Sequence, residues 1–111
     1  MDSKAKVKYS RMTPRKARRV VDLIRGKRAG DALLSLRFMP YRGARLVEKV
    51  LKSAMSNAEN KNTNVDSEAM IISRAFVDHG SVMKRIEQRS MGRANVIKKK
   101  SCHITLILTE K

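Results

Sequence analysis

Several residue types are scarce in this sequence, and each shortage excludes a class of protein. Cys102 is the single cysteine, so an intramolecular disulfide is impossible and a disulfide-stapled secreted domain is excluded. No stretch approaches the roughly eighteen consecutive apolar residues of a transmembrane helix, so no membrane span is predicted. The first twelve residues lack the apolar core of a signal peptide and do not have the character of a transit peptide. A soluble protein in a reducing compartment is therefore expected.

Acidic residues are also few, and this shortage indicates the kind of partner. The 111 residues include 26 Lys and Arg but only 10 Asp and Glu, which gives a formal net charge of +16. Such a charge repels itself in the free protein, so a polyanionic partner is predicted. The basic residues are spread along most of the chain instead of forming one tail, which favours a large binding surface.

The length predicts a single domain over residues 1–111. Aromatic residues make up 4% and tryptophan is absent, so aliphatic residues and methionine must supply the core. The first predicted element is a strand over residues 4–10, "KAKVKYS", in which Ala5, Val7 and Tyr9 face inward and the lysines face outward.

Three helices are predicted next. In "RMTPRKARRVVDLIRGK", Thr13 can cap a helix, Pro14 suits its first position and Gly26 its end. A short helix follows over about 30–38, ended by Pro40, and a longer one over about 41–60. The predicted buried stripes are, in turn, Ala17, Val20, Val21 and Ile24; Ala32, Leu33 and Leu36; and Val47, Val50, Leu51, Ala54 and Ala58.

After the polar loop "NKNTNVDS", two further strands are predicted. In "EAMIISRAFV", residues 68–77, one face carries Ile71, Ser73, Ala75 and Val77, and the other carries Met70, Ile72, Arg74 and Phe76. Over residues 102–109, the inward positions are Cys102, Ile104, Leu106 and Leu108, and the outward ones are His103, Thr105 and Thr109. The predicted fold class is therefore α+β, with three helices on one face of a small three-stranded antiparallel sheet.

The segment that joins these two strands, residues 79–101, is too long for an ordinary loop. If both strands continue as a β-hairpin that turns near Gly92, each side reaches on the order of 30 Å. Residues 79–100 carry seven Lys and Arg against the single Glu87, so the arm suits a crevice lined with phosphates. A flexible, solvated basic loop is the alternative. A bare two-stranded ribbon is marginal in water, so we expect the arm to be disordered without its partner.

Other constellations are explained better by structure than by chemistry. One Cys and two His, His79 and His103, are too few and too far apart for a zinc site, so no metal and no cofactor are expected. Asp78, His79 and Ser81 are too close in one turn to form a hydrolytic triad. No acid–base or nucleophile constellation is present, which predicts a protein that is not an enzyme.

At this point the residues carry a resemblance. The blocks "VVDLIRGK", "LVEKVLKSAMSNAEN" and "AFVDHGSVMKRIEQRSMGRANVIKKKSCHITLIL" are similar to the bacterial type of large-subunit ribosomal protein twenty-two, over nearly the whole chain. The family pattern F-V-D-x-G, M/L-K-R-I, R-A-x-G-R-A and K-R-T-S-H-I is matched in order and spacing, except that this chain has Lys99-Lys100-Ser101-Cys102-His103 where the family often has R-T-S-H. The matching positions are Phe76, Val77, Asp78, Gly80, Met83, Lys84, Arg85, Ile86, Arg89, Gly92, Arg93, Ala94, His103 and Ile104.

The resemblance implies a structural protein on the outside of the large subunit, whose hairpin reaches inward and lines the nascent-chain exit tunnel. It implies rRNA, neighbouring ribosomal proteins and the nascent polypeptide as partners, a role in assembly, and a cytoplasmic or organellar ribosome; no homo-oligomer is expected. The predicted rRNA contacts are Arg11, Arg15, Lys16, Arg18, Arg19, Arg25, Lys27, Lys84, Arg85, Arg89, Arg93, Lys98, Lys99 and Lys100. The predicted tunnel-lining residues are Met83, Lys84, Arg85, Ser90, Met91, Gly92, Arg93 and Ala94.

The arm departs from the family pattern at a few positions. Ser81 and Gln88 stand where prolines are often found, so the arm is expected to be less pre-stiffened. Glu87 is a separate departure, an acidic residue in a segment predicted to bind RNA. The alternative function is a DNA-architectural protein with a basic β-arm. Such arms often insert an apolar wedge into the minor groove, and Met91 is the one candidate for a wedge at this tip.

Overall fold

In the residues that it describes, a computed structural model of the protein has three helices, three strands and, before the second strand, a turn of 3₁₀ helix. It describes residues 2–88, 92 and 94–110, and of residues 85, 87–88 and 94–98 it describes the backbone alone. In chain order the elements are β1 (Asp2–Ser10), α1 (Pro14–Ile24), α2 (Ala29–Phe38), α3 (Arg42–Lys61), a 3₁₀ turn (Ser67–Ala69), β2 (Ile71–Gln88) and β3 (Ala94–Thr109). No helix in this part of the chain is long and apolar enough to cross a membrane.

The three strands form one antiparallel sheet in the order β1-β3-β2. β3 is central: Ala5 of β1 and Ala75 of β2 both pair with Leu106. The helices cover one face, where the inward residues of β3 meet the helical stripes in a single apolar core. The predicted α+β architecture of three helices on a three-stranded sheet is confirmed.

The helix predictions hold at the level of individual residues. α1 begins with Pro14 at its first position, where the missing N–H leaves no bond unmade, and it ends before Gly26, whose φ is +83°. Thr13 is the N-cap residue, but its side chain makes no capping hydrogen bond. The predicted stripes of α1 and α3 are fully or almost fully buried, and in α2 Ala32 and Leu36 are buried with Leu33 packed against the core.

The inward prediction for Tyr9 is wrong, because β1 contains a bulge. Val7 pairs with Ile104 but Ser10 pairs with Cys102, so the alternation of side chains breaks between them. Tyr9 sits in this irregularity with φ +56° and is 62% exposed, while Ser10 is turned inward and buried. A one-residue irregularity reverses the facing of every position beyond it, and periodicity alone cannot locate it.

A second irregularity corrects the faces predicted for β2. Ile72 pairs with Leu108 and Arg74 with Ile107, so Ser73 is the extra residue and Ile72 joins Ala75 and Val77 on the buried face. The predicted strand also began too early, because residues 67–69 form the 3₁₀ turn, in which the Asp66 carboxylate accepts a hydrogen bond from the Glu68 N–H.

Thr105 was predicted to face outward, and although it lies on the outer face it is 1% exposed. It stands on the central strand between Lys6 and Phe76, its register partners on either side. Directly opposed residues bring their Cβ atoms within about 5 Å, so two long neighbours can cover a threonine without a helix.

β2 and β3 continue past the sheet as the predicted hairpin, here called the arm, residues 79–101. Pairing runs from His79 with Cys102 to Gln88 with Ala94, and Gly92 between the strands has φ +71°. The molecule measures 64 × 25 × 16 Å, so the arm makes it far longer than it is wide. The part outside the arm is called the body.

Gly80 lies in a third irregularity, at the junction of body and arm. The register shifts between His79 and Val82, and the Ser101 hydroxyl donates to the Ser81 carbonyl oxygen over 2.7 Å. A Cβ on Gly80 would collide with the Ser101 side chain and would come within 3.2 Å of its carbonyl carbon. The two strands approach each other closely here, and only glycine fits at position 80 without displacing one of them.

Candidate nucleic-acid interface

The basic residues of α1 and its flanks form the first part of the candidate interface. The sequence predicted seven contacts here, and all seven are exposed: Arg11, Arg15, Lys16, Arg18, Arg19, Arg25 and Lys27. The amphipathic pattern explains this, because the stripe on the opposite side of the helix is buried against the sheet. Exposure alone does not test RNA binding, so that role stays a prediction. The contacts that these residues make within the protein divide them into groups.

Arg18 and Arg25 bind the edge of the sheet. Arg18 donates from Nε and Nη2 to the Val77 carbonyl oxygen over 3.3 and 3.0 Å, and Arg25 donates likewise to Ala75 over 3.1 and 2.6 Å. β2 is an edge strand, and its outward carbonyls need partners. These two guanidinium groups therefore satisfy outward carbonyls of the edge strand. Arg25 also forms a salt bridge with Asp22 over 2.9 Å.

Arg19 takes a different position, with its guanidinium carbon 5.3 Å from the centroid of the Tyr41 ring. At this distance the ring quadrupole attracts the cation. Each of the three arginines is thus held in place by a protein group. An arginine has five N–H donors, so donors are still available for a phosphate.

The arm is the second part of the interface and exposes both charge and apolar surface. Val82, Met83 and Ile86 are 47%, 58% and 74% exposed. In the register Lys84 is opposite Lys98, and like charges directly opposite destabilise a strand pair. Arg89, Ser90, Met91 and Arg93, which belong to the predicted contacts, lie outside the described residues, and only the backbone of Arg85, Ala94 and Lys98 is described.

A concave surface, called the root cleft, lies where the arm leaves the body, and it brings the two predicted clusters together. It is an open cleft of about 730 Å³. Arg11 and Lys16 come from the α1 side, Lys99 and Lys100 from the arm, and Arg42 from the start of α3. The lining residues that carry no charge are Tyr9, Met12, Thr13, Ser81, Met83 and Ser101.

The root cleft is strongly positive. None of its lining residues is acidic, and among the described residues none of its five cations has a salt-bridge partner. Elsewhere Arg45 and Lys52 both pair with Glu48. The first turns of α1 and α3 hold no acidic residue, and both helix starts contribute to the cleft. Cations at helix N-termini oppose the helix dipole, so this arrangement favours an anion in the cleft.

Tyr9 and Arg42 are two of the cleft residues that sequence reasoning missed. Alternation alone predicts an inward Tyr9, because the bulge leaves no mark in the sequence pattern. Arg42 follows Pro40 and Tyr41 at the first position of a helix, where an acidic residue would suit the dipole better. A basic residue at that position was the available signal.

His103 and Cys102, weighed above as metal ligands, have structural roles. His103 Nδ1 accepts from the Tyr9 N–H over 3.0 Å, and the two rings meet edge to face at 4.7 Å. Burial raises the pKa of the Cys102 thiol, and the positive Arg18 opposes that shift. A buried, protonated thiol is a poor ligand and a poor nucleophile. Within the described part of the chain, no group of three or more His, Cys, Asp or Glu could hold a metal ion.

Comparison with known proteins decides the family. Residues 5–109 match the model of the family described as "Ribosomal protein L22p/L17e". The chain belongs to this family. The resemblance drawn from the sequence blocks is thereby confirmed, and with it the prediction that the protein is not an enzyme, because this is a structural family of ribosomal proteins. Membership also gives the location, the cytoplasmic ribosome.

Individual relatives agree over nearly their full length. The chain is 49% identical to the large ribosomal subunit protein uL22 of Desulforamulus reducens over 111 residues, which is all of this chain and 97% of that protein. It is 48% identical to the protein of the same name from Halothermothrix orenii, with the same coverage. The corresponding protein of Desulfitobacterium hafniense is 49% identical over 98% of this chain and 95% of its own length.

Proposed function

We propose that this protein is a structural constituent of the large ribosomal subunit that binds large-subunit rRNA and assists subunit assembly. We further propose that its arm lines the nascent-peptide exit tunnel. One observation carries the proposal: a hairpin about 30 Å long that exposes Val82, Met83 and Ile86 and opposes Lys84 with Lys98. Such a hairpin needs a partner that covers apolar surface and neutralises charge.

A folded RNA meets both needs. Its phosphates neutralise the lysines and arginines, and its crevices surround a narrow ribbon on both faces. The mechanism is electrostatic: basic residues on α1 and on the arm neutralise phosphates where separate RNA segments approach each other, which stabilises the assembled particle. The neighbouring ribosomal proteins and the nascent chain are the further proposed partners.

The first experiment compares RNA with DNA. The full chain is titrated with an in vitro transcript of large-subunit rRNA and with duplex DNA of similar length, at matched salt. We expect tighter binding to the transcript, with affinity falling by roughly 10³–10⁵ between 50 and 200 mM salt if about 6–10 phosphates are contacted. Equal or tighter binding to the duplex would favour the DNA-architectural alternative.

The second experiment tests the tunnel. A photo-reactive amino acid replaces Met91, and a matched one replaces Leu34, which is 55% exposed on α2. Each variant is incorporated into ribosomes that are stalled on a labelled nascent chain. We expect a crosslink to the nascent chain from position 91 and none from position 34. Efficient incorporation without a crosslink from position 91 would contradict the tunnel-lining role.

A further inference from the structure

The root cleft carries an inference that goes further than general rRNA binding. We propose that this cleft binds a single unpaired nucleotide of RNA, with the phosphate among the cations and the base against the ring of Tyr9. The inference rests on the proposed function, because it deepens rRNA binding to one defined subsite. It joins the body to the arm, because residues of both line the cleft.

The shape of the root cleft suits a nucleotide. The cleft holds about 730 Å³, which is within the roughly 300–1,000 Å³ of pockets that hold small organic molecules, and a nucleotide is a ligand of that size. A double helix presents a convex surface that lies across such a cleft without filling it. RNA is read mainly where unpaired bases can be turned out of the helix and placed in pockets.

The charge of the root cleft suits a phosphate. Phosphate is an anion with several acceptor oxygens, and the cleft offers five cations that lack an acidic partner among the described residues. Arg11, Lys16 and Arg42 come from the body, and Lys99 and Lys100 from the arm. A phosphate held between these groups would offset the repulsion between body and arm.

Tyr9 provides a flat apolar surface in an unusual way. Its φ of +56° lies in the left-handed region, which is unfavourable for a bulky residue. The backbone bond to His103 and the edge-to-face contact with its ring fix the side chain, yet Tyr9 is 62% exposed. The strain thus places an aromatic ring in a cationic cleft, where bases stack on such rings.

The test uses the full chain and the large-subunit rRNA transcript. Tyr9→Leu is expected to weaken binding about ten-fold, because stacking of one base contributes on that order, and Tyr9→Phe is expected to keep wild-type affinity. Phe76→Leu is the matched control, since Phe76 is 39% exposed and does not line the cleft. Melting temperatures of all variants separate loss of binding from loss of fold.

A double variant tests the contribution of charge. Lys16→Gln with Arg42→Gln is expected to weaken transcript binding and to reduce the slope of log affinity against log salt by about 1–2. Lys49→Gln with Lys52→Gln removes the same formal charge from exposed positions of α3 outside the cleft. The control is expected to change both quantities less.

A photo-reactive amino acid at position 9 identifies the occupant. We expect it to crosslink to one unpaired rRNA nucleotide, mapped by primer extension, and the same group at position 76 not to reach that nucleotide. The cleft proposal would be overturned, while rRNA binding stands, by crosslinks to paired nucleotides or to a protein in whole ribosomes. An unchanged affinity of Tyr9→Leu for the transcript would overturn it in the same way. Failure of the wild-type chain to bind the transcript would overturn both proposals.

Discussion

The strands β2 and β3 run through both the body and the arm, yet the two regions are stabilised in opposite ways. In the body, Ile104 and Leu106 of β3 are fully buried between the helices and the sheet. In the arm, Ile86 of β2 is 74% exposed, and Lys84 is opposite Lys98. The difference shows that one strand pair can be covered by helices over one part of its length and carry exposed apolar residues over the other.

The largest expected difference comes from removing one aliphatic side chain from each region. Leu106→Ala is expected to lower the free energy of unfolding by about 2–5 kcal/mol, because it opens a cavity in the core. Ile86→Ala removes a group of similar size from an exposed site and is expected to change it by less than about 0.5 kcal/mol. Urea unfolding measures both, and a comparable loss for Ile86→Ala would show that the arm packs on the body.

The same contrast explains how much the sequence could predict. Stripes such as Val47, Leu51 and Ala58 repeat at helical spacing over several turns, so the helices and their buried faces followed from pattern alone. The bulges at Tyr9 and Ser73 could not be predicted, because a bulge has no signal in composition or spacing. It nevertheless reverses the facing of every strand residue beyond it.

The candidate site divides along the same line. Charge density and the family resemblance predicted which segments are basic, and Lys16 and Lys99 do line one cleft. Arg42 and Tyr9 join them through tertiary contacts, since the start of α3 and the β1 bulge reach the cleft only in the folded chain. A single sequence has no periodic signal for such a meeting of distant segments.

The next largest effect is expected at the junction of the two regions. Gly80→Val forces a side chain against the backbone of Ser101 and is expected to destabilise by about 1–3 kcal/mol, as overpacking does. Thermal unfolding and hydrogen exchange of the amides around the junction measure the change. Adding Ser101→Ala removes the nearest obstructing side-chain atom, so we expect partial recovery. Wild-type stability for Gly80→Val would mean that the strands separate there at little cost.

A smaller effect is expected where α1 seals the sheet. Arg25→Met removes the donors to the Ala75 carbonyl and is expected to cost about 1 kcal/mol, as the melting temperature reports. Arg15→Met is the matched control, because Arg15 is exposed in the first turn of the same helix. If Arg25→Met leaves stability unchanged but weakens rRNA binding, the guanidinium serves the RNA and not the edge of the sheet.

The smallest expected effect tests whether a residue that favours RNA binding lowers the stability of the free arm. Lys84→Glu replaces a like-charge pair opposite Lys98 with an opposite-charge pair, which is expected to stabilise the free arm by about 0.2–1 kcal/mol. Hydrogen exchange of arm amides should therefore slow slightly, and added salt should reduce the gain by screening. Binding to the rRNA transcript should weaken in the same variant. Lys84→Gln should lie between the wild type and Lys84→Glu in both hydrogen exchange and transcript affinity. If Lys84→Glu protected the arm and also bound RNA as tightly, charge at this position would not be set by the RNA. The separation of body and arm would then rest on burial alone.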